Sequence, residues 1–368
     1  MKYFLTLSFL FILQILNAQI ISVPYNDQDG FPIIKVKVDG KEYDFLFDTG
    51  AQVSALNSTA FKNQKIIDSK TLGDISRIIK NVDIAQSSIE IDKIGFNNLK
   101  MVYMDLSAMD SVLCHNNLDG IIGRDIMKNY SIEINTDQKK INFYEKLSDV
   151  NLSGYKKIKL PNTEEPKVLL KIGNQKRYVL IDTGSNGKLV ISDYKLNKLF
   201  DKEKYSVFLS QGSSTGAHGR VQAIKKQYYL SNINFKMGNL ELENQQLVAS
   251  DFDDNNLGFT FLKQFNIILN LNDNSLYVIE GKQNAVNIVP SFAFVSNYHR
   301  ETGDWVISKI KLEVKNLHLG DIIYEINGEK LPPDALPCNN KMEDFFELQK
   351  EIKNITVIRN KEKIKINF

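Results

Sequence analysis

The chain has 368 residues, with 46 basic against 44 acidic side chains and a formal net charge of +2. Hydrophobic residues at 43% and charged residues at 24% belong to a folded globular protein and exclude wholesale disorder. The near-balanced charge excludes a dedicated nucleic-acid binder, and two cysteines with four scattered histidines exclude a Cys-rich scaffold or a Cys-His zinc cluster.

The first element is a leader. Lys2 precedes an apolar run from Tyr3 to Leu16, which breaks at Asn17-Ala18-Gln19. The run is short for a membrane span and reads as a secretory signal peptide over residues 1–18, with an uncleaved anchor as the alternative. The remaining chain carries no comparable apolar run. The expectation is an exported protein, periplasmic or extracellular, with no stable membrane span after cleavage.

Strands follow. Pro32 to Val38 alternates with period two, Asp39-Gly40 signals a two-residue hairpin, and Tyr43 to Phe47 returns straight into Asp48-Thr49-Gly50. The plan recurs with Val168 to Ile172, a turn at Gly173-Asn174, and Tyr178 to Ile181 running into Asp182-Thr183-Gly184. A short helix is expected from Ser192 to Phe200, with Ser192 as its N-cap.

These segments form an internal repeat. Phe45 to Ala51 matches Val179 to Ser185 at an offset of 134, and Lys128 to Glu145 matches Lys263 to Glu280 at an offset of 135. In the second match Ile132/Ile267 and Ile134/Leu269 keep apolar character at alternate positions, and Gly123 and Gly258 share the register. The chain therefore contains a duplicated β unit of about 130 residues followed by a third region.

With these motifs in view, the pattern resembles a two-lobed aspartic protease of the pepsin and retropepsin kind. In that family each lobe carries an Asp-Thr-Gly-Ser/Ala loop and a later apolar-apolar-Gly segment that buttresses it. Here the loops are Asp48-Thr49-Gly50-Ala51 and Asp182-Thr183-Gly184-Ser185. The buttresses are Ile121-Ile122-Gly123 and Leu257-Gly258, with Asn256 standing where the first lobe has Ile121. No flap tyrosine is placed in the first lobe.

The resemblance implies catalytic Asp48 and Asp182, with Thr49 and Thr183 bonded across the lobe interface and Gly50 and Gly184 allowing close backbone approach. Two adjacent carboxylates share one proton and titrate as a pair, so one activates water while the other donates to the scissile carbonyl. Neither metal nor cofactor is implied. Ser185 is expected to donate its hydroxyl to Asp182, while Ala51 has nothing to donate; that asymmetry makes Asp182 the base and Asp48 the acid.

Other signals compete. Gly212-Ser213-Ser214-Thr215-Gly216 fits Gly-x-Ser-x-Gly with His218 close by, but an elbow needs a strand before it and a helix after it. Arg220 to Leu230 looks extended instead, so a Gly/Ser loop at the second lobe's flap hairpin is the preferred reading. Cys114 and Cys338 could pair in an oxidising compartment, and the sequence leaves this open.

The third region contains a strand at Trp305 to Ile310, then Gly320-Asp321-Ile322-Ile323-Tyr324-Glu325-Ile326-Asn327-Gly328, which is similar to a signature of bacterial PDZ domains. A helix is expected from Met342 to Ile352, with Phe345, Leu348 and Ile352 on one face. Two strands around Asn360-Lys361 are expected to close the chain. At Ser291-Phe292-Ala293-Phe294 the family's carboxylate-binding loop usually has glycine.

The expected architecture is mainly β: two duplicated acid-protease β lobes forming a cleft, then a small α+β PDZ-like domain. The expected divisions are 1–18 for the signal peptide, 19–148 and 149–284 for the lobes, and 285–368 for the last domain. The expected activity is aspartic endopeptidase, acting on peptides or proteins, with a peptide C-terminus at the PDZ-like groove. A catalytically inert peptide-binding protein is the alternative.

Overall fold

The computed structural model describes residues 19–73, 78–111, 113, 118–192, 196, 200, 205–212, 215–216, 219–251, 255–283, 293–299, 302–332 and 351–368. The leader, Cys114, Cys338, Ser213, Ser214, His218, Ser291 and Phe292 lie outside them, as do most of the helices expected after Ser192 and Met342.

The first half runs β1 (Gln19–Asn26), β2 (Ile33–Val38), β3 (Lys41–Phe47), β4 (Ala55–Asn57), β5 (Ile66–Gly73), β6 (Ile78–Ile91), β7 (Ile94–Met104), β8 (Gly120–Ile122), β9 (Ser131–Asn135) and β10 (Lys140–Tyr144). Alternation decides which face of β2 is inside: Ile34, Val36 and Val38 are buried, while Lys35 carries an ion pair to Asp44 outside. Asp39 at φ 51° and Gly40 at φ 76° turn the chain so that Val38 faces Lys41, the left-handed two-residue hairpin expected of that dipeptide.

From β3 the ladder passes to β8 in parallel, then to β4, β7 and β6, and β6 returns to β2 through Lys37 and Glu90. Six strands thus close into a barrel-like lobe, and β5 extends β6 beyond it.

The second half repeats this with β11 (Lys156–Lys159), β12 (Lys167–Ile172), β13 (Gln175–Asp182), β14 (Leu189–Ile191), β15 (Tyr205–Ser210), β16 (Thr215–Gly216), β17 (Gly219–Arg220), β18 (Lys225–Met237), β19 (Leu240–Ser250), β20 (Asn256–Gly258), β21 (Phe265–Asn270) and β22 (Ser275–Glu280). Its closed circuit is β12, β13, β20, β14, β19 and β18, with β15 extending β18 as β5 extends β6. Between β15 and β18 the described residues form the two-stranded ribbon of β16 and β17. The chain there is strand before and strand after, so the helix that a serine elbow requires is absent from the described residues.

The halves meet in a six-stranded antiparallel sheet, in the order β11, β22, β21, β9, β10, β1. At its centre Ile134 faces Ile267 and Ile132 faces Leu269. These are the repeat-equivalent residues exchanged, the reciprocity a two-fold axis imposes on a self-complementary interface. One apolar core runs through both halves and this junction. Asp27 adds a buried link, accepting from Lys139 at 2.8 Å and from Lys263 of the second half at 2.7 Å. Burial opposes its charge, but the two lysine hydrogen bonds outweigh that and hold Asp27 below its ordinary range.

After residue 293 come β23 (Phe294–His299), β24 (Asp304–Lys311), β25 (Ile322–Ile326), β26 (Glu329–Lys330), β27 (Asn354–Arg359) and β28 (Glu362–Asn367), around a separate core of Ile307, Ile323, Ile326, Ile355 and Val357. Asn360 and Lys361, both left-handed, make the expected final hairpin. These strands are joined to the second lobe: β24 pairs with β15, Leu209 facing Ile310. Lys309 donates to the Tyr229 hydroxyl at 2.6 Å, and Arg220 of the ribbon donates to the Tyr298 carbonyl at 3.1 Å. No helix among the described residues is long and apolar enough to cross a membrane.

Candidate active site

Each Asp-Thr-Gly follows a buried strand and is held from beneath by the segment that pairs with that strand. The Asp48 amide donates to the Ile122 carbonyl at 3.0 Å, and Arg124, which opens a short helix (Arg124–Met127), donates its amide to the Ala51 carbonyl at 2.9 Å. In the second half Phe259, at the same place before its own short helix (Phe259–Leu262), donates to Ser185 at 2.7 Å. Ile122 and Leu257 are buried in the main core, and Ile121 packs with Leu46 in a neighbouring apolar cluster. Gly123 and Gly258 lie at the tight crossings.

The two loops grip each other. The Thr49 amide donates to the Thr183 hydroxyl at 3.0 Å, and the Thr183 amide donates to the Thr49 hydroxyl at 3.0 Å. Each hydroxyl donates onward, Thr49 to the Ile181 carbonyl at 2.7 Å and Thr183 to the Phe47 carbonyl at 2.6 Å. Both threonines are fully buried, so every one of these polar groups depends on its partner in the other half. Thr183→Val would leave the Thr49 amide and the Phe47 carbonyl unsatisfied, at about 2–5 kcal/mol in all. Chemical denaturation should show that loss, and Thr183→Ser, which keeps the hydroxyl, should recover most of it.

This grip brings Asp48 and Asp182 together. Both residues are half-buried, and their carboxyl groups are hydrogen-bonded to each other. Asp48 Oδ1 accepts from the Gly50 amide at 2.7 Å and the Ala51 amide at 3.0 Å. Asp182 Oδ1 accepts from the Gly184 amide at 2.9 Å, and its Oδ2 accepts from the Asn256 side-chain amide. Gly50 and Gly184 cross over: a Cβ on Gly50 would lie 2.6 Å from Asp182 Oδ1, and one on Gly184 only 2.2 Å from Asp48 Cγ.

Burial pushes both carboxyl groups above the ordinary carboxylate range. For Asp48 the Ala51 and Gly50 amides and the nearby Arg124 charge counteract burial. For Asp182 the negative charge of Asp48 adds to burial, and the Asn256 and Gly184 hydrogen bonds offset only part; its pKa is pushed up to about 8. Each group therefore ionises less readily than a free carboxylate, and at neutral pH the pair shares a proton.

The premise of the sequence-based assignment of base and acid does not hold. Ser185 Oγ accepts from the Gly187 amide at 3.2 Å and makes no hydrogen bond to Asp182. Two neighbours of the pair were given no role in the sequence. The guanidinium of Arg124, 6% exposed, donates to the Thr49 carbonyl at 3.0 Å and the Gly50 carbonyl at 2.6 Å. Asn256 is the other. The signal for both was a polar residue inside an apolar buttress segment.

Part of the chain resembles known proteins. Residues 28–135, the greater part of the first lobe, match the family model described as retroviral aspartyl protease. No curated protein matches the chain. Among solved structures, the chain is similar to the aspartic proteinase from Irpex lacteus, at 12% identity and a TM-score of 0.45, over 71% of this chain and 97% of that one.

Proposed function

We propose that this protein is an aspartic endopeptidase that hydrolyses peptide bonds with a water activated by Asp48 and Asp182. The observation that carries the reading is the pairing of the two carboxyl groups, one from each half, under the reciprocal Thr49–Thr183 grip. The similarity of residues 28–135 to retroviral aspartyl proteases supports it.

In this mechanism the ionised Asp48 takes a proton from water lying against the pair, while Asp182 donates its proton to the scissile carbonyl oxygen. Attack gives a tetrahedral diol; on collapse Asp48 gives its proton to the leaving amine while a diol hydroxyl returns one to Asp182, which restores the starting pair. The Gly50, Ala51 and Gly184 amides hold the carboxylates in place through each change of charge.

The pH dependence follows from the position of the proton. A group pushed up to about 8 keeps its proton through neutral pH and loses it above that. Hydrolysis of an unfolded protein substrate should thus persist at pH 7 and fall about tenfold per unit well above pH 8. A statine-type transition-state mimic should abolish it. A purified full-length protein that binds the mimic but cleaves no member of a peptide library, mapped by mass spectrometry, would instead be the inert peptide-binding protein.

We extend the reading to two further features. The region after residue 293 is taken as a PDZ-like module, supported by Gly320-Asp321 before β25, where Asp321 accepts from Arg359 at 2.6 Å and from the His318 amide at 2.8 Å. Its role would be to hold an extended peptide or a partner's C-terminus. The apolar run from Tyr3 to Leu16 supports export.

A further inference from the structure

The two halves repeat each other closely, so a residue at the catalytic pair that breaks the repeat is informative. Ile121 and Asn256 are such a pair. Each is two residues before the buttress glycine and each sits in a parallel ladder, Ile121 facing Leu46 and Asn256 facing Leu180. Ile121 packs into an apolar cluster, as a strand residue there should. Asn256 instead turns its side-chain amide to Asp182 Oδ2, while its own Oδ1 is buried with no hydrogen-bond partner. An acceptor left unpaired in the interior costs stability, so the amide's orientation is held by what its donor gains.

That gain is at Asp182. The position of the Gly50 Cα places both Oδ1 atoms on one side: a Cβ there would be 2.6 Å from Asp182 Oδ1 and 3.0 Å from Asp48 Oδ1. The Gly184 amide donates to Asp182 Oδ1, and Asn256 is the only hydrogen-bond donor to its Oδ2 among the described residues. An N–H donated to a carboxylate oxygen favours the ionised group.

We propose that Asn256 is a positioning residue that holds the Asp182 carboxyl by its Oδ2 and favours its ionised form, the task the sequence had suggested for Ser185. The inference rests on the aspartic peptidase reading and concerns how Asp182 ionises within that pair. Asn256 touches no substrate in this role and acts through Asp182.

The other charges that bear on Asp182 come from the first half. Asp48, at the end of β3, repels its ionised form; Arg124, from the short helix after β8, attracts it. Glu164 and Glu165, in the loop before β12, act on Arg124 in turn. None of these is moved by a change at Asn256, so a neutral substitution there isolates its hydrogen bond.

Asn256→Leu keeps the size of the side chain and removes the donor, and Asn256→Ile copies Ile121. The readout is the pH titration of aspartate carboxyl 13C signals in the full-length protein, beside the pH profile of kcat/KM. Loss of a hydrogen bond to a carboxylate should move the Asp182 titration and the alkaline limb up by about one to two pH units. Ser185→Ala should leave the Asp182 titration unchanged.

A packing role would lower activity or stability without moving the titration. If Asp182 titrates at its native pH in either folded Asn256 variant, the proposal is overturned while the peptidase reading stands. If the titration moves but the native protein cleaves no peptide, the positioning role stands and the peptidase reading falls.

Discussion

Replacing Asp48 or Asp182 with asparagine is expected to lower kcat/KM by about 10³-fold or more, because in the proposed mechanism each carboxyl performs a proton transfer the other cannot take over. The two variants should differ in stability. Burial and the Asp48 charge push the Asp182 pKa up to about 8 on folding, whereas an aspartate in an unfolded chain ionises at about 3.9. A pKa raised on folding favours the folded state at low pH, and that advantage fades as pH rises through the folded value.

An amide at position 182 carries no charge to bury, can still accept from Asn256, and can donate to the Asp48 carboxylate. Asp182→Asn should therefore melt several degrees above the native protein at pH 8 and close to it at pH 4. Calorimetry at the two pH values reads this directly. Near-normal cleavage by either asparagine variant would remove the dyad assignment altogether.

The second large effect is expected at Gly184. A methyl there would sit 2.2 Å from Asp48 Cγ and 2.3 Å from its Oδ2, well inside contact distance. Asp48 cannot swing aside without giving up the Gly50 and Ala51 hydrogen bonds, so the loops must part. Displacing a catalytic group by about 1 Å costs about 10²-fold in rate, and Gly184→Ala should lose at least that much. Gly50→Ala should do the same through Asp182. Gly95, where a Cβ would meet nothing within 4 Å, is the control: Gly95→Ala should leave cleavage and melting temperature almost unchanged. Equal behaviour of the three variants in a cleavage assay would contradict the close-approach argument.

Much of this was legible because it is local or repeated. Period-two alternation in β2 decides its buried face, and Asp39-Gly40 sets the hairpin register without help from distant residues. The duplication marked the repeated β unit and the family resemblance implied the threonine contact; two similar surfaces that meet about an axis exchange equivalent residues. The threonine grip and the Ile132/Leu269 and Ile134/Ile267 pairings are that exchange. Sequence alone was therefore enough for the mainly β, two-lobed plan and for bringing Asp48 and Asp182 to one place.

What broke the symmetry needed the tertiary structure. Ser185 is three residues from Asp182 along the chain, yet its hydroxyl is used locally by the Gly187 amide. Asn256, 74 residues away, is carried to the carboxylate by the parallel pairing of β13 with β20. The joining of β24 to β15 is equally invisible in sequence, because an edge strand's free N–H and C=O groups accept any partner the fold brings alongside. Periodicity and motif spacing report which residues face inward. Hydrogen bonds at the site depend on direction over a few ångströms, and strand pairings between distant segments decide that direction.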